Sequence, residues 1–158
     1  MLAQEAVDHS ATVARHLPYL RRYARALTGN QTSGDRYAVA VLETIITDPA
    51  MLSAHSHPKV ALFAVFHSIW STSGAPVAEA DDVVSGAAQA HMAGLTLNSR
   101  EALLLNTVEG FDQAEVAAIM GVDIEEAQHL IDIAVQEMER SVRGSVLVIE
   151  DEAIIAMD

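Results

Sequence analysis

Between Asp123 and Glu139 the chain carries Asp123, Glu125, Glu126, Asp132, Glu137 and Glu139, and no Lys or Arg. Cations that neutralise phosphates supply nearly all non-specific affinity for nucleic acid. A segment of this charge repels a duplex and suits a cationic or dipolar partner. Placed at 100° per residue, Ile124, Ala127, Ile131, Ala134, Val135 and Met138 fall within an arc of about 100°, the width of a core stripe. Glu125, Asp132, Gln136 and Glu139 lie to one side of it, Glu126 and Glu137 to the other. Leu130 stands at the stripe's edge, and Ile133 projects roughly 140° from its centre. Two readings stay open. One is a solvated acidic face with a stray apolar residue, since scattered exposed apolar side chains are common. The other is a partner groove, apolar at Leu130 and Ile133 with an acidic rim. On that second reading the partner-facing residues are Val122, Glu125, Glu126, His129, Leu130, Ile133 and Glu137.

Other chemistry is sparse. The chain has no Cys, which removes disulfides and Cys-based zinc sites. Its seven histidines form no ligand set, because His55 and His57 have no acidic residue beside them. No phosphate-binding glycine loop and no nucleophile–base–orienter constellation can be assembled, so an enzyme is not expected. Glu150 and Asp151 follow a β-branched run, Ser145 to Ile149. At the C-terminal end of a parallel strand such a pair suits a hard cation such as Mg²⁺; on a loose tail it has no meaning.

The elements that position these residues are mostly helices. In this 158-residue chain 51% of residues are apolar and only 4% aromatic, so the core is Ala, Leu, Val and Ile. Leu17, Leu20, Tyr23, Ala24 and Leu27 recur at helical spacing, with Pro18 expected in the first turn and Gly29 at the C-cap. A second helix is predicted from about Asp35 to Thr47, burying Ala38, Val41, Leu42, Ile45 and Ile46. A third starts near Pro58 and is apolar nearly all round, as a central helix would be. Residues 74–97 read as a linker. Asn98 with Glu101, Asp112 with Glu115 and Asp123 with Glu126 each have capping-box spacing. They mark helix starts for 99–109, 113–120 and 124–142, the last two joined by Gly121-Val122-Asp123 as in a helix-turn-helix. The run after Ser145 reads as a strand.

The net charge of −13 is unevenly spread: +1 over residues 1–73, −6 over 74–122 and −8 over 123–158. Such asymmetry points to a basic partner or to imitation of a polyanion, against the alternative of plain solubility. The N-terminus lacks a signal-peptide pattern and no apolar run approaches a membrane span, so a cytoplasmic protein is expected. The four arginines Arg15, Arg21, Arg22 and Arg25 could touch phosphate or form a solvated face.

The stretch Leu97-Asn-Ser-Arg-Glu-Ala-Leu-Leu-Leu-Asn-Thr-Val-Glu-Gly-Phe, with Glu115-Val-Ala-Ala-Ile-Met-Gly-Val, resembles region four of extracytoplasmic-function sigma factors. Leu17-Pro-Tyr-Leu-Arg-Arg-Tyr-Ala-Arg-Ala-Leu-Thr-Gly resembles region two. Val146-Leu-Val-Ile-Glu-Asp-Glu-Ala-Ile-Ile-Ala-Met-Asp resembles the first strand and helix of a response-regulator receiver. In that order the parts resemble the PhyR-type general stress response regulators. The resemblance implies an all-α fold. A region-two-like bundle would cover 1–73, a linker 74–97, a region-four-like helix-turn-helix 98–143 and a truncated receiver start 144–158. It implies an anti-anti-sigma factor whose sigma-mimicking domain sequesters a NepR-like anti-sigma factor and does not bind DNA. The receiver of a full-length protein would be its second partner. Glu150 and Asp151 match half of a receiver Mg²⁺ site, with Mg²⁺ expected only alongside a complete receiver and no cofactor in this fragment. The alternative is a genuine extracytoplasmic-function sigma factor that binds promoter DNA and RNA polymerase.

Overall fold

The computed structural model describes residues 2–73 and 97–157, with side chains described for 8–73 and 98–143. The elements run α1 (Leu2–Thr28), α2 (Gln31–Thr47), a 3-10 turn (Pro49–Ser53), α3 (Pro58–Thr72), α4 (Leu97–Thr107), α5 (Gln113–Met120) and α6 (Ile124–Met157). The described residues are all-α and include no strand. The expected linker, 74–97, lies outside the described residues except for Leu97, which opens α4.

Local chemistry explains most boundaries. Gly29 ends α1 at φ 81, a left-handed conformation natural to glycine, and its N–H bonds Arg25 O at 2.9 Å. Asn30 then caps α2 by accepting from Ser33 N. His57 caps α3, its Nδ1 accepting from Lys59 N at 3.1 Å, with Pro58 following. Asp112 and Glu115 complete a reciprocal capping box at α5. Asp123 Oδ1 accepts from Glu126 N at 2.7 Å and opens α6.

Three expectations are corrected. Pro18 lies inside α1 rather than in its first turn, because α1 begins at Leu2. Residues 2–17 contain no Gly or Pro to stop the helix, so it continues through Pro18 despite the lost N–H and the ring's clash with the carbonyl four residues back, a cost of about 3 kcal/mol. Asn98 with Glu101 does not open a helix: α4 already starts at Leu97, and Glu101 is buried against α3. The run 145–150 is not a receiver strand but the continuation of α6 to Met157. No neighbouring strand among the described residues could take up its backbone donors and acceptors, whereas a helix satisfies them within itself.

α3 is the central helix. It buries Val60, Ala61, Leu62, Phe63, Val65, Phe66 and Trp70, and touches α1, α2 and α5. α1 packs chiefly on α2, and α6 on α4 and α5. The N-terminal helices α1–α3 and the C-terminal helices α4–α6 share one core. Tyr23, Phe63 and Phe66 meet in edge and tilted contacts, and the Phe63 ring lies 5.1 Å from that of Phe111 across the boundary.

Candidate functional site

α6 owes its placement to Ala127, Ile131 and Ala134, which are buried against α4 and α5. Their burial turns Asp123, Glu125, Glu126, Asp132 and Glu139 to solvent. Among the described residues, two of these acids are engaged beyond the cap: Asp132 accepts from Gln128 Nε2 at 2.7 Å, and Glu139 lies 4.0 Å from Arg143. Each is an exposed (i, i+4) contact, worth a few tenths of a kcal/mol. The face is therefore a field of carboxylates on a rigid helix.

The flanks of α6 differ from the sequence expectation. Ile124 and Val135, assigned to the core stripe, are exposed, as is Val142. Leu103, Val135, Met138 and Val142 line an open groove of about 490 Å³ between α4 and α6, bounded by Glu139 and Arg143. On the opposite flank Leu130 is partly buried and packs on the core, while Ile133 is half-buried. Glu125, Glu126 and His129 are exposed; Val122 is half-buried against the core, and Glu137 is half-buried with Oε2 lacking a hydrogen-bond partner. The seven expected partner-facing residues share one helix and the turn before it, yet split between an acidic face and the Leu130–Ile133 flank. Glu150 and Asp151 lie on α6 rather than at a strand end.

A second apolar groove was not foreseen. Val13, Ala14 and Leu17 of α1, Leu42, Ile45 and Ile46 of α2, and Pro49 after it line a cleft of about 430 Å³. Ile46, expected in the core, is 77% exposed. The signal was present: Ile46 stands about 100° from the centre of the α2 stripe, at the margin of what a core-facing arc covers.

The groups between the halves complete the site. Arg22 Nη2 donates to both oxygens of Glu109 at 3.1 Å, and Lys59 Nζ lies 3.7 Å from the same carboxylate. Lys59 also stands 4.8 Å from the Tyr19 ring centre and 5.0 Å from that of Phe111. Arg21 is engaged by Asp35 at 3.2 Å. Arg21 and Arg22 are thus spent on intramolecular pairs, which weighs against a phosphate-binding arginine face. His16 packs edge-on against His57 with ring centres 5.9 Å apart. Burial first, and then the charges of His57, Lys59 and Arg15, hold its pKa below the ordinary histidine value. Among the described residues no group of three metal-ligating side chains converges, and no helix is long and apolar enough to cross a membrane.

Comparison with known proteins places this arrangement. Residues 13–67 match the family described as the Sigma2 domain of PhyR, and residues 92–141 that described as the sigma-like domain of the response regulator PhyR. The chain is 40% identical over 147 residues to the phyllosphere-induced regulator PhyR of Methylorubrum extorquens, covering 92% of this chain and 55% of that protein. It thus spans about half the length of the curated relative it matches. A structure of the PhyRSL–NepR complex from Sphingomonas sp. Fr1 aligns with a TM-score of 0.72 at 38% identity, covering 82% of this chain and 86% of that one. The sigma factor RpoE, solved with the anti-sigma factor NepR from Bartonella quintana, aligns with a TM-score of 0.73 over 86% of this chain and 97% of that one; at 17% identity the likeness is of fold alone.

Proposed function

This chain belongs to the PhyR family of response regulators, and from that premise we propose that it is an anti-anti-sigma factor that captures a NepR-type anti-sigma factor. One observation carries the reading. A sigma-like helical arrangement presents, where DNA recognition would need cations, the exposed carboxylates Glu125, Glu126, Asp132 and Glu139 of α6. The acids exclude promoters, and they do so without touching the core stripe that keeps the helical shape. The partner is a chain whose amphipathic helices fold onto the apolar grooves. Val122, Glu125, Glu126, His129, Leu130, Ile133 and Glu137 supply part of its seat, and the Leu103–Val135–Val142 groove another part. The protein acts in the cytoplasm by binding alone, with no catalytic step and no cofactor. Mg²⁺ belongs to a complete receiver, which in longer relatives would compete for the same surface.

Titration calorimetry against a NepR-type protein tests this. Saturable binding at micromolar concentration or tighter is expected, together with no retardation of promoter DNA at low salt. Absence of heat, with a DNA band that weakens steeply as salt rises, would instead favour a working sigma factor.

A further inference from the structure

The start of α3 is cationic, although the N-terminus of a helix favours anions. Its N-cap is His57, with extended backbone at φ −139 and ψ 137 and with Nδ1 accepting from Lys59 N at 3.1 Å. No acidic residue stands in the first turn. The titratable groups gathered there are Lys59 of α3 itself, His55 in the loop before the cap and, from α1, His16 and Arg15. The His16 ring lies edge-on to that of His57, with centres 5.9 Å apart. Glu109 meets the cluster at Lys59, 3.7 Å away, and is shared with Arg22. Lys59 therefore reaches from the first turn of α3 into the seam between α1–α3 and α4–α6.

The choice of cap matters because of what a proton does to it. Ser, Thr and Asn caps accept at every pH, and Asp does so down to about pH 4. An imidazole accepts only through a nitrogen that carries no proton; once the ring is charged, both nitrogens donate. Charged His57 would then set a donor against the Lys59 N–H and place a cation at the positive end of the α3 dipole. His57 is exposed, so the proton has access. The surroundings already oppose added charge: burial first, and then His57, Lys59 and Arg15, hold the His16 pKa below its ordinary value. The backbone half of the cap, His57 O accepting from Ala61 N at 3.1 Å, does not titrate. Val60, Ala61, Leu62 and Phe63 are buried directly behind it. The response is thus confined to the first turn.

We propose that His57 is an acid-released cap, which holds the first turn of α3 and the Lys59 ammonium in place in neutral solution and lets both loosen in mildly acid solution. Lys59 is the group that carries the change onward, since it stands 4.8 Å from the Tyr19 ring centre and 5.0 Å from that of Phe111 as well as against Glu109. The device belongs to this chain alone and does not depend on the function proposed above.

Amide exchange of the whole chain, followed by NMR and expressed relative to the unstructured rate at the same pH, reads the cap at Lys59 N. In the parent, that protection should fall about fivefold between about pH 7.5 and about pH 5.5, the effect of losing one N-cap bond as histidine takes its proton. His57→Asn supplies an acceptor that does not titrate, so Lys59 N should stay protected at both pH values. His57→Ala should leave it poorly protected at both. His16→Gln should leave the fall in place, which separates the cap from the burial of His16. Nitrogen-15 shifts of the His57 ring should show Nδ1 without a proton at neutral pH. Equal protection at both pH values in the parent, which needs no substitution, would overturn the proposal. So would a fall that persists in His57→Asn or vanishes in His16→Gln, or a protonated Nδ1 at neutral pH.

Discussion

Gly34 offers a direct test of how α1 and α2 are packed. A Cβ built there would stand 2.8 Å from Arg25 N, 2.9 Å from Arg25 Cα and 3.0 Å from Ala24 C. These are backbone atoms, so no side-chain rotation can relieve the overlap. Ordinary contacts between such atoms lie at about 3.5–4.0 Å, so the two helices must part by several tenths of an ångström. The displacement falls on an interface that buries Leu20, Ala24, Leu27, Ala38 and Val41. Overpacking of this kind costs about 1–3 kcal/mol, and rigid neighbours place it near the upper end. Gly34 lies within α2, so Gly34→Ala regains about 1 kcal/mol of helix propensity. The net expectation is a loss of about 2 kcal/mol, which for a chain of this size lowers Tm by about 4–8 °C. Thermal melts followed by far-UV circular dichroism measure it. The α1–α2 groove should widen too, so partner affinity should fall along with Tm. A Gly34→Ala protein that melts higher than the parent would refute the close approach and the packing argument built on it.

Other perturbations probe the caps, the charges and the grooves. Asp112→Ala removes the side-chain half of the α5 capping box and should cost about 1 kcal/mol, a Tm drop of about 2–4 °C in the same melts. Because the His16 pKa is lowered in the fold, the unfolded chain takes the proton first as pH falls. Stability should hold above the ordinary histidine pKa of about 6.5 and decline below it, and His16→Gln should flatten that decline in urea titrations repeated across pH. Leu130→Glu with Ile133→Arg, and separately Val135→Asp with Val142→Asp, should each weaken NepR-type capture more than they lower Tm. If calorimetry shows unchanged affinity in one pair, that flank of α6 is not a seat. Replacing Glu125, Asp132 and Glu139 by Lys should create DNA retention that disappears as salt rises; its absence would show that more than charge excludes promoters.

Much of the local organisation was written in the sequence. The apolar stripes of α2, α3 and α6, the Asp112–Glu115 box and the Gly29 cap depend on neighbours within a few positions, so periodicity and spacing found them. The acidic character of α6 was equally legible, because a net charge needs no fold. The seven residues assigned to the partner surface were named from one helical wheel, which describes a helix but not what packs on each side of it. The wheel therefore placed Ile124 and Val135 in the core and left Leu103 unnoticed, since α4 covers only part of the stripe.

What tertiary structure alone decided concerns partners far apart in the chain. Glu101 satisfied a local capping rule on paper, yet it lies in the seam against His67, 34 positions away. Arg22 and Glu109 are 87 positions apart, and nothing in either neighbourhood announces the pair. Residues 145–150 have the β-branched composition of a buried strand, and still extend α6. A strand needs a neighbour for its backbone hydrogen bonds, whereas a helix supplies its own, so composition proposes a strand that only an adjoining sheet can make. Helical periodicity and charge are properties of adjacent residues, fixed once the sequence is given. The seam, the grooves and the exposed flank of α6 exist only once distant segments meet, and their energies depend on what each burial removes from water.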